Sequence, residues 1–289
     1  MTTILPELIT KEVKRLCIEA ATIIDDEVLA CLEKNKNKEC GLAKSILEQI
    51  IENDMLAKNE NIPMCQDTGI TIVFVEIGNQ VFIDGDIYDA INKGVSLGYT
   101  EGYLRKSIVK SSLNRINTKD NTPAIIHIKH TLGDKLKITV CPKGAGSENM
   151  SKVVMLNPAD GIPRIKKFVL ETIKNAGGRP CPPLIVGIGI GGDIEKCALI
   201  AKESLLRDIN DSSSDPDAKL LEDELYEEIN NLNVGPMGLK GKTTALAVKV
   251  NLYPCHIASL PVCVNIQCHA SRHKVVEFWE LKGQMIKKS

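Results

Sequence analysis

The strongest constraint on the fold is a regular exchange of two hydrophobic periods along the chain. Short runs rich in β-branched residues, at 70–77, 124–130, 136–140, 184–190, 245–252 and 260–266, read as strands. Stretches at 85–98, 101–113, 160–176, 193–207 and 216–231 read as helices between them. Val13, Leu16, Ala20 and Ile24, then Leu42, Ile46 and Ile50, recur at helical spacing, so residues 1–60 form an amphipathic helical region. The stretch Asn59-Glu60-Asn61-Ile62-Pro63 ends it. This interleaving predicts a mixed α/β (α+β) fold, with one mixed β-sheet core flanked by helices behind an N-terminal helical region. The acidic stretch 208–228, with Ser212-Ser213-Ser214 and Asp215-Pro216, reads as an exposed loop and helix and not as a boundary. Residues 1–289 are therefore expected to form a single domain.

Composition narrows the function classes. With 36 Lys+Arg against 37 Asp+Glu and a net charge of -1, the chain has no basic surface for a nucleic-acid backbone. No apolar run approaches the roughly 18 residues of a membrane span, and MTTILPELITKEVKR lacks the basic and apolar regions of a signal peptide. A cytoplasmic protein with no nucleic-acid or membrane partner is expected, so the 10 cysteines are not a secreted disulfide framework. Cys17 and Cys197 fall on apolar helical faces and read as small buried hydrophobes. Cysteines in Pro- and Gly-rich loops are better ligand candidates.

Two phosphate-binding look-alikes fail on context. Gly187, Gly189 and Gly192 spell G-x-G-x-x-G after a strand and before a helix. A dinucleotide site also needs a second strand ending in an acidic residue about 20 positions on, and none arrives. Close packing of strand on helix, or backbone approach to a ligand, suits these glycines better. Gly235-Pro236-Met237-Gly238-Leu239-Lys240-Gly241-Lys242-Thr243 ends like a phosphate loop, but its spacing is wrong and a polar helix precedes it where a buried strand belongs.

Three cysteines stand in distinctive loops: Cys65 in Pro63-Met64-Cys65-Gln66-Asp67-Thr68-Gly69, Cys181 in Arg179-Pro180-Cys181-Pro182-Pro183, and Cys268 in Asn265-Ile266-Gln267-Cys268-His269-Ala270. Their wide separation matches neither a zinc knuckle nor a redox C-x-x-C. Residue types alone leave open a three-thiolate site, a cysteine-rich zinc-binding interaction module and a nucleotide-binding regulatory domain.

The wording around the cysteines is more specific. Together with Lys143-Gly144-Ala145-Gly146-Ser147-Glu148-Asn149, Cys181-Pro182-Pro183 followed by the Gly187 to Asp193 run, Gly238-Leu239-Lys240-Gly241-Lys242-Thr243-Thr244-Ala245, and the His256 to Cys268 region, it resembles the class I iron-sulfur fumarate hydratases and the related L-tartrate dehydratases, in their N-terminal half or separate α subunit. The resemblance covers most of the chain and makes it a catalytic domain. It implies a [4Fe-4S] cluster held by Cys65, Cys181 and Cys268, with one iron left without a protein ligand as a Lewis acid. It implies reversible addition of water to fumarate giving (S)-malate, or alternatively dehydration of L-tartrate to oxaloacetate.

Asp67 and His256 match family positions beside the cluster and are the candidates for moving the proton on the hydroxyl side. Gln66 and the backbone of Ala145 and Gly146 are the candidates for binding a C4 dicarboxylate, the glycine-rich loop acting as an anion nest. The family pattern often has Gly where this chain has Ala145. Arg272 is a further candidate, for pairing with a carboxylate or for an ordinary surface ion pair. His269 adjoins a ligand and is a candidate for tuning the cluster, whereas His127 and His130 flank a strand as surface or packing residues.

No motif supplies a base for the carbon-bound proton or paired arginines for the second carboxylate. A buried dianion without compensating charge is costly. The resemblance therefore implies a β subunit, a separate chain that completes the active site, in a complex doubled by symmetry as a homodimer of α or of αβ pairs.

Overall fold

The structure, a computed structural model, describes residues 2–281 and 284–288. The backbone gathers into two compact units, Met1–Ile24, Asp54–Ala145 and Arg272–Ser289 in one, Asp25–Asn53 and Gly146–Ser271 in the other. The chain changes unit after Ile24, within the helix Gly41–Glu60 after Asn53, after Ala145 and after Ser271.

The first unit is built on a five-stranded sheet in the order β11 (Gln284–Lys288), β10 (Lys274–Leu281), β5 (Leu136–Lys143), β2 (Ile70–Gly78), β4 (Ile125–Thr131). β2 runs parallel to β4 and antiparallel to β5, pairing Ile70 with Lys143, and β10 pairs Lys274 with Val140. α1 (Pro6–Thr22) and α4 (Ile87–Glu101) cover it, sharing a core of Val13, Leu16, Ile91, Val95 and Tyr99 with Val73, Val75, Ile138, Val140, Val276 and Phe278. The two helices cross closely because α4 carries Gly94 and Gly98 at the crossing: a Cβ there would stand 2.7 Å from Val13 Cβ and 2.8 Å from Cys17 Cβ. Asp86 starts α4 by accepting the Tyr88 and Asp89 N–H groups. Cys17 lies wholly buried in this core, as its helical face predicts. A small parallel pair, β1 (Thr2–Ile4) with β3 (Val81–Ile83), completes the unit's strands.

The second unit contains α2 (Asp26–Lys36) and a four-stranded sheet in the order β6 (Lys152–Leu156), β9 (Leu260–Gln267), β7 (Leu184–Gly191), β8 (Ala245–Tyr253). β7 is parallel to β8 and antiparallel to β9, and every residue of it is buried. Its alternate residues Leu184, Val186, Ile188 and Ile190 share a core with α6 (Gly161–Ala176) and α8 (Pro216–Asn230). Gly187 and Gly189 face α7 (Ile194–Ser204), where a Cβ would run into the carbonyl oxygens of Ala201 and Cys197. Close strand-helix packing is thus what these glycines permit. Among the described residues, no helix is long and apolar enough to cross a membrane.

The mixed α/β class and the N-terminal helical region are present, the latter as α1, α2 and α3 (Gly41–Glu60). The strands are shared among three sheets instead of being gathered in one, because each helix layer covers its own sheet and closes a separate core. A helix expected over 101–113 is absent: α4 ends at Glu101, and Tyr103 takes a left-handed φ of 53° that turns the chain away. Beyond it the backbone is held by Asn121, whose side chain accepts the Ser107 N–H at 2.7 Å.

Candidate active site

In the first unit three chain segments meet at one end of the sheet: 65–69 before β2, 144–145 after β5, and 272–273 before β10. Asp67 joins them. Its Oδ1 accepts the Gly69 N–H at 3.0 Å and its Oδ2 accepts the Ala145 N–H at 2.8 Å, while its carbonyl accepts from Arg272 Nη1 at 2.9 Å. The next carbonyls are also taken. Tyr99, fully buried, donates its hydroxyl to Thr68 O at 2.7 Å and Gly69 O at 3.1 Å, and Asn121 Nδ2 donates to Gly69 O at 3.1 Å. Thr68 donates its hydroxyl to the carbonyl of the exposed Arg105 at 3.0 Å. Gly69 is required here, since its φ is 79° and a Cβ would press on the Lys143 backbone at 2.7 Å. The half-buried Cys65 and exposed Gln66 stand at the front of this braced loop.

Two expectations change in detail. The Ala145 N–H, read as part of a nest for a bound anion, holds the Asp67 carboxylate instead. Arg272 is not a surface residue: it is 4% exposed and donates to a main-chain carbonyl.

In the second unit Cys181 precedes β7 and Cys268 follows β9. The register Ile185 opposite Gln267 brings both to one end of the four-stranded sheet. The His269 N–H donates to Cys181 O at 3.3 Å. Cys181 has a left-handed φ of 56°, and its N–H donates to Gly178 O at 3.0 Å. The Cys268 sulfur receives the Gln267 Nε2–H at 3.5 Å and stands 3.7 Å from the Ala270 carbonyl oxygen. Gly146 packs on the same loop, 3.2 Å from a built Cβ to Arg179 O.

The loop resembling a phosphate loop lies here too. Met237 N–H donates to Pro182 O at 2.7 Å, and the amides a phosphate would need are occupied: Thr243 N–H by Glu39 Oε1 at 2.6 Å and Gly241 N–H by Asn233 Oδ1 at 3.1 Å.

His256 does not join these cysteines. It lies in the 254–259 connection from β8 to β9, at the opposite end of the sheet, and the 8 residues of β9 at about 3.4 Å each separate it from Cys268 by more than about 20 Å. Its Nδ1 accepts the Ala258 N–H at 3.1 Å, and it lines an open hollow of about 480 Å³ with Asp193, Lys196, Tyr253 and Cys255. His127 is a packing residue, stacked on Phe74 with ring centroids 5.0 Å apart.

The remaining thiols differ in kind. Burial pushes the thiols of Cys17 and Cys263 up to about 12, so both stay protonated and inert, whereas Cys65, Cys181 and Cys268 are each half-buried on loops. Among the described residues no three His, Cys, Asp or Glu side chains close on one point as a metal site would. Half-buried thiols, one of them receiving an amide donor, nevertheless suit an iron-sulfur ligand set.

Tyr99 and Asn121 are the residues that sequence reasoning passed over. A tyrosine on the apolar face of α4 was the available signal, because a buried hydroxyl must find an acceptor.

A family model described as Fumarate hydratase (Fumerase) matches residues 10–277. The chain belongs to the fumarate hydratase family. As a member it is a hydro-lyase. It is 44% identical over 275 residues to a Putative L(+)-tartrate dehydratase subunit alpha of Methanocaldococcus jannaschii, covering 92% of this chain and 96% of the relative. It is 29% identical over 269 residues to the L(+)-tartrate dehydratase subunit alpha of Escherichia coli strain K12, covering 91% of this chain and 88% of the relative. The loops at Cys65, Cys181 and Cys268 all fall inside the matched span.

Proposed function

We propose that this chain is the α subunit of an L(+)-tartrate dehydratase, a cytoplasmic hydro-lyase that works with a separate β subunit. The observation that carries this reading is the nearly end-to-end match to a relative named as a tartrate dehydratase α subunit, 96% of which is covered. The sequence expectation put fumarate first, and the relatives' names move the preference to tartrate.

Cys65, Cys181 and Cys268 are the residues that would hold a [4Fe-4S] cluster, which when bound supplies a Lewis acid for a hydroxyl and a carboxylate of the C4 dicarboxylate. The chain's own residues do the rest. Dehydration removes a hydroxyl from one carbon and a proton from its neighbour, and hydroxide leaves poorly without a proton. Asp67 handles that proton: each carboxylate oxygen accepts one amide and keeps a further lone pair. Gln66, exposed on the same loop, donates an amide to a substrate carboxylate. Since His256 stands at the opposite end of its sheet from Cys181 and Cys268, a His256 that serves this chemistry reaches it from a second copy, in line with a complex doubled by symmetry. The base for the carbon-bound proton and the charges for the second carboxylate come from the β subunit.

The test is an anaerobic assay of the chain produced with its β subunit and iron-sulfur loaded, comparing oxaloacetate formation from L-tartrate with fumarate formation from malate. Turnover of tartrate exceeding malate by roughly tenfold or more is expected, with loss of activity on chelation or exposure to air. Preference for malate would return the assignment to fumarate hydratase. Equal rates with and without the β subunit would overturn the divided active site.

A further inference from the structure

Three successive carbonyls of the 67–69 loop are held from behind, by Arg272, Tyr99 and Asn121. Two of these braces are neutral. Arg272 is the charged one, only 4% exposed, and the Nε–H finds no acceptor among the described residues. Burying a guanidinium is expensive, and one bond to a neutral carbonyl is a small return that a glutamine would also provide. What the planar fork adds is reach. A Cβ built at Gly144 would lie 3.3 Å from Asp67 Oδ2 and 3.5 Å from Arg272 Nη2, so guanidinium and carboxylate flank the same piece of backbone. The residue after that glycine is Ala145, whose N–H the carboxylate accepts.

We propose that Arg272 is a positioning residue: by clamping the Asp67 main chain against the 144–145 backbone, it holds the Asp67 carboxylate in the orientation in which both oxygens accept backbone N–H groups. The proposal deepens the hydro-lyase reading and rests on it for the part Asp67 plays. Small displacements of a reacting group are enough to cost a large factor in rate.

Backbone amide hydrogen exchange on the full chain, without substrate, reads the clamp directly. In Arg272→Met the Gly69 and Ala145 amides exchange roughly tenfold faster or more, while amides of the β2–β5 ladder keep wild-type protection. Arg272→Leu carries the same test if Arg272→Met does not fold, and Arg272→Lys recovers much of the protection. In the assembled enzyme these variants lower kcat by roughly ten- to a hundredfold and change KM by less than about threefold. Unchanged exchange at Gly69 and Ala145 would overturn the proposal, as would equal acceleration throughout the ladder, which makes Arg272 a general strut. A loss confined to KM would also overturn it, by making Arg272 a substrate ligand. Wild-type enzyme inactive on every C4 dicarboxylate would instead sink the hydro-lyase reading alone, because the exchange result is obtained without substrate.

Discussion

Tyr99 serves two carbonyls with one phenolic oxygen, those of Thr68 and Gly69, from within the core of the first unit. Burial raises its pKa, so it remains a protonated donor at any working pH. Tyr99→Phe removes the donor and leaves the Thr68 carbonyl to find another partner, whereas the Gly69 carbonyl keeps Asn121. A loss of about 1–2 kcal/mol in unfolding free energy is expected in denaturant titrations, with lower activity because the loop bearing Cys65 and Asp67 loosens. Undiminished stability would mean that Asn121 and Arg272 suffice. The same reasoning explains what could be foreseen: the polar cluster Cys65 to Gly69 stands out in the sequence, while its braces come from distant positions with no local mark of their role.

At the scale of elements, the second unit depends on α7 lying directly on β7. Gly189 makes that possible, and its φ lies outside the left-handed region that only glycine tolerates well. Gly189→Ala therefore acts through packing alone. The new methyl would meet the Cys197 carbonyl and force α7 outward, at a cost of about 1–3 kcal/mol measurable as a lower urea midpoint with an unchanged m-value. A neutral substitution would show that α7 can slide without loss. Strand runs at 70–77, 184–190 and 260–266 agree closely with β2, β7 and β9, because β-branched runs bounded by turns are a local signal. The helix expected at 101–113 failed because a single left-handed residue, Tyr103, overrides the apolar spacing that follows it.

For the whole molecule, each of the two units contains a buried thiol whose pKa burial pushes up to about 12, Cys17 in one and Cys263, packed with Cys197 and Ala201, in the other. The ordinary value is 9.0, so between about 9 and 12 the unfolded chain has released protons that the folded chain retains. Stability is then unaffected by these groups below pH 9 and falls as the pH rises through that window, by up to about 1.4 kcal/mol per pH unit for each thiol. Unfolding titrations at pH 8, 9, 10 and 11 of the wild type and of a Cys17→Ala/Cys263→Ala variant should show a shallower alkaline decline in the variant. Parallel declines would assign the alkaline loss to other groups.

The chain alone determined the class of fold, most strand positions, the inert state of Cys17 and Cys197, and the family, because these rest on local periodicity and on contiguous residue order. Tertiary structure decided which strands pair, that Asp67 spends both carboxylate oxygens on the Gly69 and Ala145 amides, and that Arg272 is buried behind the loop. It also decided that His256 lies at the opposite end of the sheet from Cys181 and Cys268. All of these depend on strand register, which brings together residues far apart in the chain and which no short stretch of sequence encodes.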